Sequence, residues 1–310
     1  MDALVILGAT AVGKSKVAVT VAQRLGGEIV SVDSRQAYRH LDIGTAKPTK
    51  EQRESIPHHM IDILELDETN NAERYARMAT LAIDTIRSGG ALPILVGGSG
   101  LYFRAIFKGF FAIDLDQDER RRFADSVAGI PTRELRQRLE SADPRAARRI
   151  HPNDRYRTVR ALEVFTLSGV TLSEHFERQR RTQHGLESKM QICKVGLTLE
   201  REDLSARIRE RTASMIRAGL VDEVRSLLDG GADPGWPGMQ TLGYPEVVSF
   251  VRGRIDETEM NERIVRLTRR YAKRQMTWFR KERGVTWLRA DGGGIVQHII
   301  RLATGKAGGT

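Results

Sequence analysis

Gly8, Gly13, Lys14 and Ser15 stand at the spacing G-x-x-x-x-G-K-S, and those residue types in that order can hold a chain of phosphates. The glycines let the backbone curl so that its N–H groups converge, the lysine neutralises phosphate oxygens, and the serine offers a hydroxyl to Mg2+. Two further stretches carry candidate chemistry. One is the carboxylate Asp33, followed by Ser34-Arg35-Gln36-Ala37-Tyr38; the other is a second glycine-rich turn, Gly97-Gly98-Ser99-Gly100. Two roles are open to Asp33. In a P-loop ATPase or nucleotide kinase it helps to hold Mg2+; in a transferase it takes the proton of a nucleophile that attacks a phosphate-bearing donor.

Elements around these residues must bring them together. Ala3-Leu4-Val5-Ile6-Leu7 is an apolar strand pattern running into the first glycine, and Val17, Val21 and Leu25 recur on one face of a helix behind it. That is the strand–loop–helix setting a phosphate loop requires, and a chance glycine turn does not match eight positions within it. Glu28-Ile29-Val30-Ser31-Val32 reads as a buried strand ending at Asp33, and the stretch 57–63 leads into another short strand. His58 and His59 read as structural, because adjacent positions do not converge on a metal. A helix over 72–87, with Tyr75, Met78 or Ala79, Ala82 and Ile86 at helical spacing, ends at Gly89-Gly90; the buried strand 92–96 then runs into the second glycine turn. In an open α/β sheet, residues just past the carboxyl ends of the strands line the ligand crevice, which predicts both glycine turns and Asp33 at one edge of a parallel sheet.

Composition shifts near Asp116. Residues 117–185 hold fifteen Arg, ten acidic residues and no Lys in helical patterns that include 132–139 and 154–167. Arginine suits planar contact with phosphate and stacking on bases, while a solvated helical face with ordinary ion pairs is the simpler reading of any one of them. The strand pattern returns at 191–197. It is followed by a helix over 204–218 with Arg207, Arg211 and Met215 at four-residue spacing and a stop at Gly219, a further helix over 222–228, and a loop at 235–238. The longest helix is expected over 259–281, with Met260, Ile264, Leu267, Tyr271 and Trp278 inward and a basic stripe of Arg263, Arg266, Arg270 and Lys273 or Arg274; the tail beyond about residue 303 reads as frayed. The expected fold is therefore α/β: a P-loop NTPase-like core with a parallel sheet flanked by helices, residues 1–115 and 191–310, interrupted by a mostly helical insertion, residues 116–190.

The 310 residues carry a net charge of +10 and a pI near 10.0, which points to a polyanionic partner. The single cysteine, Cys193, leaves no internal disulfide and no C-x-x-C zinc site. No apolar stretch approaches the ~20 residues of a membrane span, and the N-terminus enters the first strand with no room for a signal peptide. A soluble, cytoplasmic protein is the expectation.

The loop 8–15, Asp33-Ser34-Arg35-Gln36-Ala37-Tyr38, Asp42-Ile43-Gly44-Thr45-Ala46-Lys47-Pro48, Gly97-Gly98-Ser99-Gly100-Leu101-Tyr102, Asn153-Asp154-Arg155-Tyr156-Arg157 with Arg160-Ala161-Leu162-Glu163-Val164, Gly243-Tyr244, and Lys273-Arg274-Gln275-Met276-Thr277-Trp278-Phe279 together resemble the tRNA dimethylallyltransferase (tRNA isopentenyltransferase) family. The resemblance runs from residue 4 to about residue 289. It implies transfer of a dimethylallyl group from dimethylallyl diphosphate to N6 of adenosine 37 in tRNAs that read codons beginning with U, giving N6-(dimethylallyl)adenosine and diphosphate. By the same resemblance Asp33 is the base and Ser99 orients the amine. Gly8, Thr10, Ala11, Val12, Gly13, Lys14, Ser15 and Arg211 hold the donor's diphosphate, with Mg2+ on Ser15. Contacts to tRNA, through its anticodon stem-loop, fall on Asp33, Ser34, Arg35, Gln36, Ser99, Arg121, Tyr156, Arg157, Thr158, Val159, Arg160, Gln240, Thr241, Leu242, Gly243, Tyr244 and Pro245. A monomer with no membrane partner is implied, and a cleft between core and insertion gripping the stem-loop.

Two positions and one stretch depart from the family's pattern. Ala9 stands where the family has Pro, Ser99 where it has Thr, and Phe110-Phe111-Ala112-Ile113-Asp114-Leu115 replaces a Pro-containing stretch. Three other classes compete. A P-loop kinase or ATPase would want a second acidic strand end, and the strand 92–96 ends in glycines instead. An adenylate isopentenyltransferase shares the loop and the reaction but uses a free nucleotide. A non-catalytic RNA-binding protein with a degenerate loop is opposed by intact Lys14, Ser15 and Asp33.

Overall fold

Strands that are apolar on both faces need cover on both faces, and the strand runs here are of that kind: all six residues of β1 (Ala3–Gly8) are buried. The computed structural model describes residues 1–109, 116–182 and 185–305; the departing stretch 110–115 lies outside them. The chain divides into two compact units, one of residues 1–107 and 189–310 and one of residues 108–188.

In the first unit β1 leads to α1 (Lys14–Leu25), β2 (Gly27–Val32), α2 (Lys50–Ser55), β3 (His58–His59), α3 (Ala72–Ser88), β4 (Leu92–Gly97) and α4 (Gly100–Lys108). The second unit holds α5 (Gln117–Ala128), α6 (Thr132–Ala142), α7 (Pro144–Arg149), α8 (Arg155–Ser168) and α9 (Leu172–Thr182). The first unit resumes with β5 (Ile192–Thr198), α10 (Arg201–Arg217), α11 (Leu220–Asp229), α12 (Tyr244–Val251), α13 (Glu257–Phe279), β6 (Val285–Arg289) and α14 (Ile295–Thr304). No helix among the described residues is long and apolar enough to cross a membrane.

The six strands form one parallel sheet in the order β3-β2-β4-β1-β5-β6. Its register positions the chemistry. Leu7 lies beside Gly97, and Gly97 beside Val32, so the chain leaves β1, β4 and β2 at one level. The phosphate loop, the Gly98-Ser99 turn and Asp33 are therefore neighbours on one sheet edge. β5 pairs with β1, returning the chain to the same sheet after the second unit.

Helix α13 corrects one expectation. Trp278, expected inward, is 36% exposed, and the inner line runs through Met260, Ile264, Ala272, Gln275 and Phe279. The helix is rotated so that the Gln275 amide faces inward, where it finds two hydrogen-bond partners, and Trp278 is left to pack its indole edge against Gly100.

The loop after β2 is held by charged groups on and around it. Glu223 on α11 accepts from the N–H groups of Asp42 (2.9 Å), Ile43 (2.7 Å) and Gly44 (3.3 Å) and from the Tyr244 hydroxyl (2.6 Å). Lys47, whose side chain is 1% exposed, bonds Asp42 at 2.7 Å and also Asp62, which in turn meets Arg53 at 2.7 Å.

The second unit packs Val127, Leu135, Leu139, Ala146, Ala147, Ile150, Ala161 and Leu162 into its own core. Several of its arginines are structural. Arg155 donates to the carbonyls of Val127, Ala128 and Ile130 at the end of α5, Arg136 donates to those of Ala147 and Ile150, and Arg120 and Arg160 share Glu163. Carbonyls at helix ends lack intrahelical partners, and a planar multi-donor group satisfies them.

Burial alone would raise the Asp62 pKa, but hydrogen bonds from Lys47 and Arg53 outweigh it and hold the carboxyl below its ordinary value of 3.8. A lowered folded pKa stabilises the fold above the unfolded value and stops doing so as pH falls through the folded one. Asp62→Asn should therefore cost about 1–3 kcal/mol at neutral pH, with the gap to wild type closing below about pH 4. Denaturant unfolding across pH measures it, and a gap that does not narrow as pH falls below that ordinary value would rule out the ion network as what holds the loop.

Candidate active site

The phosphate loop has the backbone its glycines allow. Gly8 (φ 150°), Ala11 (φ 63°) and Gly13 (φ 103°) lie at positive φ, and a Cβ on Gly8 would sit 2.6 Å from the Leu197 carbonyl oxygen. Gly13 precedes α1 and brings no capping side chain, so the first N–H groups of the helix are left for an anion. Lys14 folds back over the loop, with Nζ donating to the carbonyls of Gly8 (3.0 Å) and Ala9 (2.7 Å). Burial pulls the Lys14 pKa down to about 7; Asp33 opposes the shift and Arg211 adds to it. Burial likewise lowers the pKa of Arg211, with Asp33 opposing it. Its guanidinium reaches the Thr45 carbonyl at 3.5 Å. One turn earlier, Arg207 donates to the Val12 carbonyl at 3.3 Å.

Asp33 follows β2 directly, and its Oδ1 accepts the Arg35 N–H at 2.9 Å. The neighbouring turn is stitched to it: Ser99 Oγ accepts the Ser34 N–H at 3.1 Å, and the Ser99 N–H donates to the Val32 carbonyl at 3.2 Å. Tyr271 interacts with Ser99 and Gln275, and the Arg35 guanidinium lies 4.0 Å over its ring. Gln275 itself accepts from the Thr10 N–H at 2.8 Å and donates to the Gly98 carbonyl at 2.9 Å.

A cavity of about 480 Å³ opens beside this edge, its wall including Ser34, Arg35, Tyr38, Tyr102, Gln240 and Arg274. Asn70 also lines it, and its Nδ2 is buried without a hydrogen-bond partner among the described residues. Aromatic faces, guanidinium groups and an unsatisfied amide donor suit a flat heterocycle with acceptor atoms.

The expected site residues divide between the two units. Residues 8–15, Asp33, Ser34, Arg35, Ser99 and Arg211 meet at the sheet edge. Gln36 is nearby, but its amide is bonded to Ser31 and to the carbonyls of Thr45 and Ala46. Gln240 and Leu242 line the cavity with Thr241 and Pro245, whereas Gly243 is buried and Tyr244 is fully buried with its hydroxyl on Glu223. Arg121, Tyr156, Arg157, Thr158, Val159 and Arg160 lie in the second unit. Tyr156 is 82% exposed and the Arg157 side chain 66%, while Thr158 is buried with its hydroxyl on the Asp154 carbonyl, and Val159 packs on that unit's core. Gln275, Tyr271, Arg207 and Asn70 are among the residues at the edge or cavity that carry no expected role. Arg207 had a signal in its four-residue spacing to Arg211, and Gln275 in its place within the motif 273–279.

The IPP transferase family model matches residues 36–282. A tRNA dimethylallyltransferase of Syntrophobacter fumaroxidans is 43% identical over 303 residues, covering 97% of this chain and 87% of the relative. That of Pelotomaculum thermopropionicum is 43% identical over 308 residues, covering 97% and 96%. Among solved structures, tRNA isopentenylpyrophosphate transferase of Bacillus halodurans is similar with a TM-score of 0.71 at 37% identity, covering 98% of this chain and 96% of the other. A eukaryotic dimethylallyltransferase acting on tRNA has a TM-score of 0.81 at 26% identity, covering 98% and 80%.

Charge-assisted contacts to phosphate are worth about 1.5–3 kcal/mol each. Lys14→Met and Arg211→Ala should each weaken binding of inorganic pyrophosphate roughly 10- to 100-fold by titration calorimetry. Wild-type affinity in either variant would take that residue out of the anion site.

Proposed function

This chain belongs to the IPP transferase family, and from that premise we propose that it is a tRNA prenyltransferase that moves a dimethylallyl group from dimethylallyl diphosphate to N6 of adenosine 37. The tRNAs concerned are those reading codons that begin with U, and the enzyme acts as a cytoplasmic monomer. One observation carries the reading: Asp33, a lone strand-end carboxylate, lies within electrostatic reach of both Lys14 and Arg211. A base and a leaving-group site thus share one sheet edge.

Adenine N6 is a poor nucleophile, because its lone pair is delocalised into the ring. As the new N–C bond forms and the allylic C–O bond breaks, Asp33 takes a proton from the amine. Ser99 Oγ, held by the Ser34 N–H, orients that amine. Lys14, Arg211 and the open N–H groups of α1 receive the diphosphate, so negative charge develops against groups already in place. Ser15, exposed at the start of α1, offers a single hydroxyl donor, which suits Mg2+, an ion that takes most of its ligands from phosphate and water. Bound there, Mg2+ would supply further charge neutralisation on the diphosphate. A phosphoryl-transfer reading is weakened at β4, which ends in Gly97-Gly98-Ser99-Gly100 rather than in a carboxylate.

The target base must leave its stack, at a cost of a few kcal/mol that is smaller in a loop than in a duplex. The cavity lined by Arg35, Tyr38 and Tyr102 has the chemistry to receive RNA bases. In the second unit, exposed Tyr156 and Arg157 offer a stacking face and a phosphate contact.

Incubation with Mg2+, an anticodon stem-loop carrying adenosine 37 and either dimethylallyl diphosphate or ATP tests the reaction by mass spectrometry. A C5 gain on the RNA with the diphosphate alone is expected; prenylation only of added AMP, or turnover of ATP alone, overturns the reading. Asp33→Ala should slow transfer at least ~100-fold while donor affinity stays within a few-fold, and near-normal turnover would exclude the base role. Arg157→Ala should weaken stem-loop binding and reduce its salt dependence by about one ion; an effect confined to the KM of the donor would move Arg157 away from the RNA.

A further inference from the structure

Resting on the transferase reading above, we infer that Gln275 is a positioning residue that fixes the donor loop against the acceptor turn. It is 6% exposed, at a helix position that an aliphatic side chain would ordinarily fill. A buried carboxamide is costly unless both its ends are paired, and here both are. Oε1 accepts the N–H of Thr10, in the loop after β1, and Nε2 donates to the carbonyl of Gly98, in the turn after β4. One side chain thus spans the two loops that hold the two reactants.

The surroundings are built for that span. A Cβ on Gly98 would come within 2.1 Å of Gln275 Nε2, so a side chain at residue 98 and the amide cannot both keep their places. The Thr10 N–H is committed to Gln275, which separates it from the loop amides left to meet the diphosphate. The phosphate loop otherwise keeps its own fold through the Lys14 bonds to Gly8 and Ala9. Loss of Gln275 should therefore leave donor binding in place and disturb what lies between the loops: the alignment of the amine at Ser99 with the allylic carbon of the donor. A misplacement on the order of 1 Å can cost about 100-fold in rate.

The test uses full-length enzyme, with sites counted by pyrophosphate titration and turnover expressed per site. Gln275→Ala should lower kcat roughly 10- to 100-fold, with the KM for dimethylallyl diphosphate and the Kd for pyrophosphate within about threefold of wild type. Amide exchange at Thr10 should accelerate in the same variant. Gly98→Ala, which keeps the glutamine but displaces its amide, should reproduce the kcat loss, and the double variant should be no slower than Gln275→Ala, because the new methyl occupies the space vacated. Unchanged kcat per site in Gln275→Ala, a loss confined to KM, or multiplicative losses in the double variant would each overturn the inference. If Gln275→Ala does not fold, Gly98→Ala alone decides by the same split between kcat and KM. A wild-type enzyme that transfers no C5 group to RNA would instead defeat the family reaction, while the Thr10 exchange readout still reports on the span itself.

Discussion

The register that sets Leu7 beside Gly97 and Gly97 beside Val32 is the constraint on which the rest of the site depends. Parallel strands leave a sheet at the same edge, and adjacent strands in register leave it at the same level. An anion loop, a hydroxyl-bearing turn and a carboxylate are therefore side by side before any side chain has chosen a rotamer. A slip of one residue in β2 would turn Asp33 to the other face of the sheet. The continuous apolar burial of β1, most of β4 and most of β2 resists that slip, so core packing and site geometry rest on the same contacts.

Charge is arranged around one carboxylate. Lys14 and Arg211 both lie within reach of Asp33, and burial pushes both toward their neutral forms. A bound diphosphate reverses that pressure by placing several negative charges against them. The reaction releases that anion between the two cations, which take it up. Charged networks away from the reacting groups, Glu223 under the 42–44 backbone and buried Lys47 between Asp42 and Asp62, hold the loop that supplies the Thr45 carbonyl to Arg211.

Much of the edge was legible in the sequence, because its signals are local. A glycine pattern between a strand and a helix, and a carboxylate at the end of an apolar run, each carry meaning within about ten residues. Gln275 stood in a motif of the resemblance, but its role was not legible. On a helix rich in Arg and Lys, a glutamine reads as one more solvated side chain, and its burial follows only from where α13 meets loops some 175 and 265 residues away. Trp278 was misplaced for the matching reason: periodicity favours the indole for the inner line, and the amide's two partners decide otherwise. Arginine richness in the second unit was legible only as a total. Arg136 and Arg155 serve carbonyls at the ends of helices, and Arg120 and Arg160 serve one glutamate; sequence spacing cannot separate these from an exposed group such as Arg157.

The phosphate loop by itself permits both phosphoryl transfer and transfer of the group attached to the phosphate. What separates them is which bond the site leaves exposed to a nucleophile. A kinase has to fix the terminal phosphorus and its metal, and needs carboxylates near the phosphate chain. Here the strand next to β1 ends in a turn that brings a serine hydroxyl and backbone, and the carboxylate stands one strand further on, bonded to the Arg35 N–H. On the transferase reading such an edge grips a diphosphate as the leaving group and sets the carboxylate beside the turn that carries Ser99. The chemistry then falls at carbon, between the loops, and the spacing of those loops becomes the quantity that the fold must control.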